Sequence, residues 1–216
     1  MKAKRILAVI LAAVMVLGVN GKVFAADNPP EPPTISQTEP TMLTAEELQE
    51  LAETAPDFTE TRSAATLADR RITEAELTAW IAEYWELGIN AFELEVVRLI
   101  NIERENHGLH PLAISPTLMM AARFHSQQMA DLRFFSHRST HHGRGTYRAS
   151  MFGHENIQDH FFGVHENIAG STRSPERVVQ LWMNSPGHRA AILQGEFLTI
   201  GIGVVQGGGT TANFGG

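Results

Sequence analysis

The stretch Val164–Leu193, VHENIAGSTRSPERVVQLWMNSPGHRAAIL, carries the densest structural signals in the chain. It begins with a short extended segment that includes Glu166. Two Ser-Pro pairs follow, at Ser174 and Ser185, and each predicts a helix start, because serine caps a helix N terminus and proline fits its first turn. An extended segment is therefore followed by a helix and immediately by a second, short helix.

The tetrapeptide HENI occurs twice, at 154–157 and 165–168. Glu155 of the first copy lies in a region rich in glycine and histidine, residues 136–164, for which the lack of periodicity predicts mostly loop. Glu166 of the second copy leads instead into the capped helix at Ser174. The second copy is therefore the candidate for a functional carboxylate.

The rest of the C-terminal half also has clear helix and strand signals. Asn90 is a predicted N-cap with Glu93 three residues later, and Ser115 with Pro116 begins another helix. The β-type run Thr199–Val205, a glycine turn and a short run at 211–214 predict two final strands.

The first 25 residues have the pattern of a secretory signal peptide. Three cations within the first five residues precede an apolar run of about fourteen residues and small residues before Ala25. That run is shorter than the roughly twenty residues of a spanning helix, and retention as an uncleaved anchor is the alternative. With no other long apolar segment, we predict no stable span after cleavage and a secreted, extracellular or envelope-associated protein.

Composition limits the partners of the mature chain. Removing residues 1–25 leaves 13 basic and 24 acidic residues, a net charge near −11, and there is no cysteine. Stability must therefore come from burial without disulfides. An acidic chain of this kind has no electrostatic reason to bind nucleic acid or an anionic bilayer.

The chain is divided into four predicted parts. After the signal peptide at 1–25, residues 26–44 are acidic and rich in proline and threonine, which predicts a disordered linker. Residues 45–90 form a partly helical N-terminal arm, in which a capping box begins at Thr44. The aromatic residues of its second helix are predicted to pack on the main domain, residues 91–216, the alternative being a carbohydrate or partner surface.

All ten histidines lie between His107 and His188. His137 follows an aromatic pair just past a predicted helix end. His188 is the third residue of a Ser-Pro helix, where the helix dipole disfavours the protonated imidazole, so we predict a neutral ring at pH 7. The other histidines considered are predicted to be structural or solvated: His107 and His110 beside a helix end, His125 within a helix, and His141 and His142 in a loop.

Seven separated motifs follow one another between residues 91 and 216: LINIERENHGLHPL, AARFHSQQMA, FFSH, HENIAG, LWMNSPGHRAAIL, IGIGV and TTANFGG. Together they resemble the CAP superfamily of cysteine-rich secretory, antigen 5 and pathogenesis-related 1 proteins, also called SCP domains, in its bacterial, cysteine-free branch. The resemblance implies an α+β fold, a three-layer α-β-α sandwich with a central antiparallel sheet and a large central groove.

In that family two histidines and two glutamates line the groove, and some members hold a divalent cation through the histidines. The resemblance assigns the first histidine to His137 and the first glutamate to Glu166. His165 stands where the family often has glycine and adds an imidazole beside the groove. The second glutamate is missing, since Ser185 occupies its position, and His188 is the available replacement for a histidine absent from the C-terminal motif.

Three functions are consistent with these residues. The favoured one is a binding module whose groove, lined by His137, Glu166, His188 and His165, takes a small ligand, a peptide or a cell-envelope component. His137 and His188 are the predicted ligands of Zn²⁺ or another divalent cation, and two imidazoles with one carboxylate are ligand types of an open tetrahedral zinc site.

The alternative is a metal-dependent, peptidase-like hydrolase with Glu166 as general base. The absence of a G-x-S-x-G elbow, of cysteine, of an HExxH helix and of the second carboxylate counts against catalysis. The third is a structural role, in which the polar cluster stabilises the fold and the acidic arm acts in the envelope.

Overall fold

The computed structural model describes residues 40–57, 66–154, 163–170 and 174–216. The predicted signal peptide at 1–25, most of the predicted linker at 26–44 and Glu155 of the first HENI copy lie outside the described residues.

The elements of the described part follow one another in a fixed order along the chain. The helices are α1 (Ala45–Thr54), α2 (Glu74–Leu87), α3 (Ala91–Asn106), α4 (Pro116–Asp131), α5 (Gly145–Met151), α6 (Pro175–Met183) and α7 (Pro186–Ile192). The strands are β1 (Ala113–Ile114), β2 (His165–Ala169), β3 (Thr199–Val205) and β4 (Gly209–Gly215).

The four strands form one sheet in the order β1-β3-β4-β2. β3 pairs antiparallel with β4, and β4 pairs antiparallel with β2, so the centre of the sheet is antiparallel as predicted. The two-residue β1 pairs parallel with β3 at the edge, which the long connection between them permits. β2 is the opposite edge strand, and it carries Glu166.

Helices cover both faces of the sheet, which confirms the predicted three-layer α+β fold. α4 packs against β3 and β4 on one face, while α3 packs against β3 and α6 beside it reaches β2. The fully buried residues come from all three layers and include Ile100, Phe124, Trp182, Ile202 and Phe214. The burial of these apolar side chains is the main stabilising contribution, and the described residues contain no cysteine that could add a disulfide.

The predicted helix starts are confirmed, and most have a side-chain cap, although the side chain of Ser185 makes no capping hydrogen bond. Asn90 accepts a hydrogen bond from the Glu93 N–H while the Glu93 carboxylate accepts one from the Asn90 N–H, a complete capping box. Ser115 and Ser174 accept from the backbone N–H groups three residues later, and a proline follows each of them. Each of these signals is complete within four residues, which is why the sequence located these helix starts.

The arm packs on the domain, as its aromatic pattern predicts. Trp80 and Tyr84 of α2 are 5% and 2% exposed, and the Trp80 ring lies 5.5 Å from Phe124 and 5.4 Å from Phe152. α1 packs against α3 through its own buried leucines. The arm therefore contributes to the core.

Two segments predicted to be irregular contain short ordered stretches. Residues 40–44 belong to the predicted linker, yet Thr41 exchanges two backbone hydrogen bonds of 2.9 Å with Ile114, and Leu43 is buried, because the edge of β1 offers unpaired groups there. The predicted loop at 136–164 contains α5, whose seven residues are too few for a periodic sequence signal.

Candidate functional site

Glu166 lies at the edge of the sheet with its carboxylate turned inward. On β2 it stands opposite Asn213 of β4, and its side chain is only 5% exposed. A methyl group at Gly145 would lie 3.2 Å from Glu166 Oε2, so the start of α5 is held close against the carboxylate. A buried carboxylate of this kind needs hydrogen-bond donors and a counter-charge.

Both oxygens of the carboxylate have such partners. Oε1 accepts from His137 Nδ1 at 3.0 Å, and Oε2 accepts from Arg148 Nη2 at 2.5 Å. With its amide nitrogen turned towards the carboxylate, Asn213 donates to Oε2 at 3.2 Å while its oxygen accepts from the Ala122 N–H. Burial alone would raise the pKa of Glu166, but the His137 hydrogen bond and the Arg148 charge outweigh it and hold the pKa below its usual value.

His137 joins this carboxylate to the surface. Its side chain is 44% exposed, and since Nδ1 donates to Glu166, a neutral ring carries the lone pair on Nε2. The two aromatic residues before His137 differ in their packing. The ring centre of Phe134 lies 5.8 Å from that of His125, whereas Phe135 is 58% exposed. Only Phe134 therefore packs against the site, and Phe135 faces the solvent.

Arg148, on α5, is the partner of Glu166 that the sequence analysis missed. Its fully buried guanidinium also donates to the Gly143 carbonyl at 2.6 Å and to the His137 carbonyl at 3.3 Å. Burial lowers its pKa, and the Glu166 charge opposes that effect. An isolated arginine in a glycine-rich and histidine-rich stretch offers no pattern from which this contact could be predicted.

His125, predicted to be a buried structural histidine, is indeed buried but lies beside the same carboxylate. Its Nε2 is 3.8 Å from Glu166 Oε1 and hydrogen-bonds the Ser136 carbonyl at 3.0 Å. Burial, together with the Arg148 charge, lowers its pKa to about 4. The ring is neutral at pH 7 and connects α4 to the segment that presents His137.

His188 lies close to the same edge strand, at the neighbour of Glu166 in the sequence. Its backbone carbonyl accepts from Asn167 Nδ2 at 3.0 Å, which ties the first turn of α7 to β2. Burial lowers the pKa of the half-buried His188, and a positive charge on His137 lowers it further. The two imidazoles therefore lie within electrostatic range of each other, and His188 is neutral at pH 7.

His165 is not brought to the carboxylate. Successive side chains of a strand point to opposite faces, so His165 and Glu166 project from opposite sides of β2. The His165 ring packs at 5.2 Å from the Phe197 ring, beneath the other face of the sheet. Strand alternation therefore separates His165 from Glu166, although both were predicted to line one groove.

Comparison with known proteins identifies the architecture that holds this cluster. The model of the CAP family, described as the cysteine-rich secretory protein family, matches residues 97–214, more than half of the chain. The chain belongs to the CAP family. The matched residues contain His137, Glu166, Arg148 and His188, whereas α1 and α2 of the arm precede them.

Individual relatives agree with this assignment. The uncharacterized protein YkwD of Bacillus subtilis is 42% identical over 120 residues, which are 56% of this chain and 45% of that protein. The uncharacterized membrane protein YlbC of the same organism is 32% identical over 122 residues, 56% of this chain and 34% of that one. The chain thus spans less than half the length of the curated relatives it matches.

A solved structure of an extracellular protein containing an SCP domain, from Bacillus anthracis, superposes on this CAP chain with a TM-score of 0.54. It is 28% identical, and the match covers 67% of this chain and 44% of that one. Within the described residues of the present chain, no helix has the length and apolar character needed to cross a membrane.

A pocket of about 120 Å³ lies elsewhere in the CAP chain, between residues 66–72 and α2. Its walls include Ile72, Trp80 and His142, and neither Glu166 nor any of its hydrogen-bond partners lines it. The Glu166 group is therefore a cluster at the open edge of a sheet rather than the lining of this pocket.

The donor set does not fit the three-ligand zinc site of the sequence analysis. Glu166 has both oxygens engaged, one of them by a guanidinium, so it stands behind His137 rather than beside it. In the part of the chain that the structure describes, no three His, Asp or Glu side chains converge on a point that could hold a metal ion. His137 and His188 remain as two imidazoles, fewer than the three protein ligands that catalytic zinc sites use.

His142, predicted to lie in a solvated loop, is only 4% exposed. Its Nε2 accepts from the Ile72 N–H at 3.0 Å and thereby fastens residues 66–72 to the domain. Burial, together with the charges of His141 and two arginines, lowers the pKa of His142 to about 4. Like His125, it is an imidazole that the fold keeps neutral.

These two histidines predict a loss of stability in mild acid. The unfolded chain protonates them near pH 6.5 but the folded chain only near pH 4, so within that window the unfolded state binds more protons and stability falls as pH falls. Each contributes a slope of up to about 1.4 kcal/mol per pH unit. Urea unfolding at pH 7 and pH 5 measures the slope, which His142→Gln should reduce and the exposed-site control His110→Gln should leave unchanged. Equal slopes in both variants would contradict the assignment.

Proposed function

We propose that this CAP protein is an exported binding module that takes a small ligand or an extended peptide at the edge of β2. One observation carries the proposal: the half-exposed His137 is oriented by a buried carboxylate that has its own counter-charge, with His188 within electrostatic range of His137. A preorganised polar group of this kind fixes the orientation of a ligand at little entropic cost.

Export is supported by the sequence of the first 25 residues and by the similarity to a solved protein described as extracellular. Another relative is named a membrane protein, so attachment to the envelope through a further segment is compatible with the family. A cell-envelope component or a secreted peptide is therefore the class of ligand that we expect.

A fragment screen by protein NMR tests the binding role. We expect hits from a library of small polar and apolar fragments, extended with short peptides, to shift the imidazole signals of His137 and His188. His137→Ala should weaken these hits by at least about tenfold, the scale of one lost hydrogen bond to a buried, charged network. The control His110→Ala, at an exposed histidine outside the cluster, should leave them unchanged. Hits that bind His137→Ala as tightly as the native protein would refute the role of this site.

A hydrolase is the second candidate, and the geometry alters its mechanism. Glu166 is a poor general base because its oxygens are occupied and its pKa is lowered. A carboxylate that accepts from Nδ1–H and leaves Nε2 free is, however, the arrangement that prepares a histidine to take a proton. The base of a hydrolytic CAP site would then be His137, with Glu166 orienting it. A broad peptide and glycan substrate screen separates the two functions: turnover that His137→Ala abolishes would replace the binding proposal.

A further inference from the structure

We propose that Arg148 takes the place of a cation beside Glu166, and that it thereby keeps the site from ligating a metal through this carboxylate and fixes His137 as a hydrogen-bond acceptor towards the ligand. The inference deepens the proposed function, since it concerns the same site and names the chemistry of the group that docks there.

Both oxygens of the Glu166 carboxylate accept hydrogen bonds from side chains. Arg148 donates to Glu166 Oε2 at 2.5 Å, and His137 donates to Oε1 at 3.0 Å. Asn213 supplies a further donor to Oε2 at 3.2 Å. A metal that bound this carboxylate would have to compete with a fully buried guanidinium at Oε2 and with the His137 N–H at Oε1, and a guanidinium without its counter-charge is costly in a buried site.

Arg148 is itself held in place by backbone carbonyls. Its other hydrogen bonds go to the carbonyls of Gly143 and His137, on the two sides of the loop that precedes α5. The same guanidinium therefore positions the carboxylate and the backbone of the histidine that the carboxylate orients. Arg148 is a positioning residue, and it acts on the ligand through His137.

The exposed Nε2 atom of His137 is the atom that a ligand can contact. With Nδ1–H committed to Glu166, the uncharged form of the His137 ring offers only the Nε2 lone pair, on its exposed side. Nε2 makes no hydrogen bond to any residue in the described ranges. The docking group that this form of the ring binds is therefore a donor, such as a hydroxyl, an amide N–H or an ammonium.

The tautomer of His137 tests the proposal directly in the full chain. Long-range ¹H–¹⁵N NMR at pH 8 is expected to show the proton on Nδ1 in the native protein. Observation of the Nε2–H tautomer would overturn the proposal, whatever the variants do.

Zinc titration supplies a second readout. We expect Arg148→Met to free Glu166 and to raise the affinity for Zn²⁺ by about tenfold or more, the scale on which groups around a metal site act. The gain should vanish when His137→Ala is added. Arg144→Met removes an exposed arginine from the same loop and should leave zinc binding at the native level. Circular dichroism checks that each variant is folded, and the charge-preserving Arg148→Lys should keep the native tautomer and the native zinc affinity.

Tight native zinc binding that Arg148→Met does not change would show that the guanidinium has no such role. These outcomes are independent of the proposed binding function. A fragment screen without hits would remove that function and leave the tautomer and the zinc affinities as they are.

Discussion

Replacing Glu93 by alanine is expected to lower the free energy of unfolding by about 3–5 kcal/mol, the cost of leaving a buried charge without its partner. Glu93 on α3 is fully buried, and Arg123 on α4 is 2% exposed. Arg123 Nε donates to Glu93 Oε1 at 2.9 Å, and Nη2 donates to Oε2. Removing the carboxylate therefore leaves a guanidinium that neither water nor another carboxylate in the described part of the chain reaches.

Glu93 also supports three parts of the fold at once. Its carboxylate accepts from the Asn90 N–H in the capping box and from the Val204 N–H at the edge of β3, beyond the point where β1 ends. Arg123 in turn lies 4.6 Å from the ring centre of Tyr84 and donates to the Gly88 carbonyl at 3.0 Å. The ion pair therefore joins the sheet, two helices of the domain and the end of α2, and its loss should loosen the arm.

A matched control lies two residues away on the same helix. Glu95 forms an ion pair of 2.6 Å with Arg98, but both side chains are 21% exposed. Glu95→Ala should therefore lower the free energy of unfolding by only about 0–1 kcal/mol. Chemical denaturation of both variants at pH 7 measures the difference. A Glu93→Ala variant no less stable than Glu95→Ala would show that the buried pair contributes nothing net.

Glu93 also shows which contacts could be predicted from the sequence and which could not. The capping box of Asn90 and Glu93 was predictable because it is complete within four residues. The pairing of Glu93 with Arg123 was not, since the two are thirty positions apart and only the packing of α3 against α4 brings them together. Local signals therefore located the helices, whereas the partners of buried charges depended on tertiary structure.

The candidate site divides in the same way. The family motifs and their flanking residues predicted that His137 and Glu166 belong to one cluster, and the structure joins their side chains by a hydrogen bond of 3.0 Å. The separation of His165 from Glu166 could have been anticipated from the sequence, because a strand that turns Glu166 to one face turns its neighbour to the other. Arg148 and His125 could not have been placed, since nothing in a glycine-rich loop or in a uniformly buried helix indicates which side chain faces the carboxylate.

A substitution in the motif IGIGV is also expected to cause a large loss of stability. In β3 its two glycines share one face, and that face lies against the backbone of α4. A methyl group at Gly203 would lie 2.0 Å from the Arg123 nitrogen and 2.3 Å from the Ala122 carbonyl carbon, and one at Gly201 would lie 2.1 Å from the Leu118 carbonyl carbon. The glycines therefore set the distance between helix and sheet.

Gly203→Ala should destabilise the protein by about 3 kcal/mol or more, at or beyond the upper end of the usual cost of overpacking. A side chain that meets another side chain can change rotamer, but here both partners are main chain, so α4 as a whole must move away from the sheet. That movement would also pull Arg123 from Glu93. The control is Gly187→Ala in α7, where no atom lies within 4 Å of the added methyl and alanine favours the helix by up to about 1 kcal/mol. Thermal unfolding of both variants decides the matter: equal midpoints would mean that the contact between α4 and β3 is looser than these distances require.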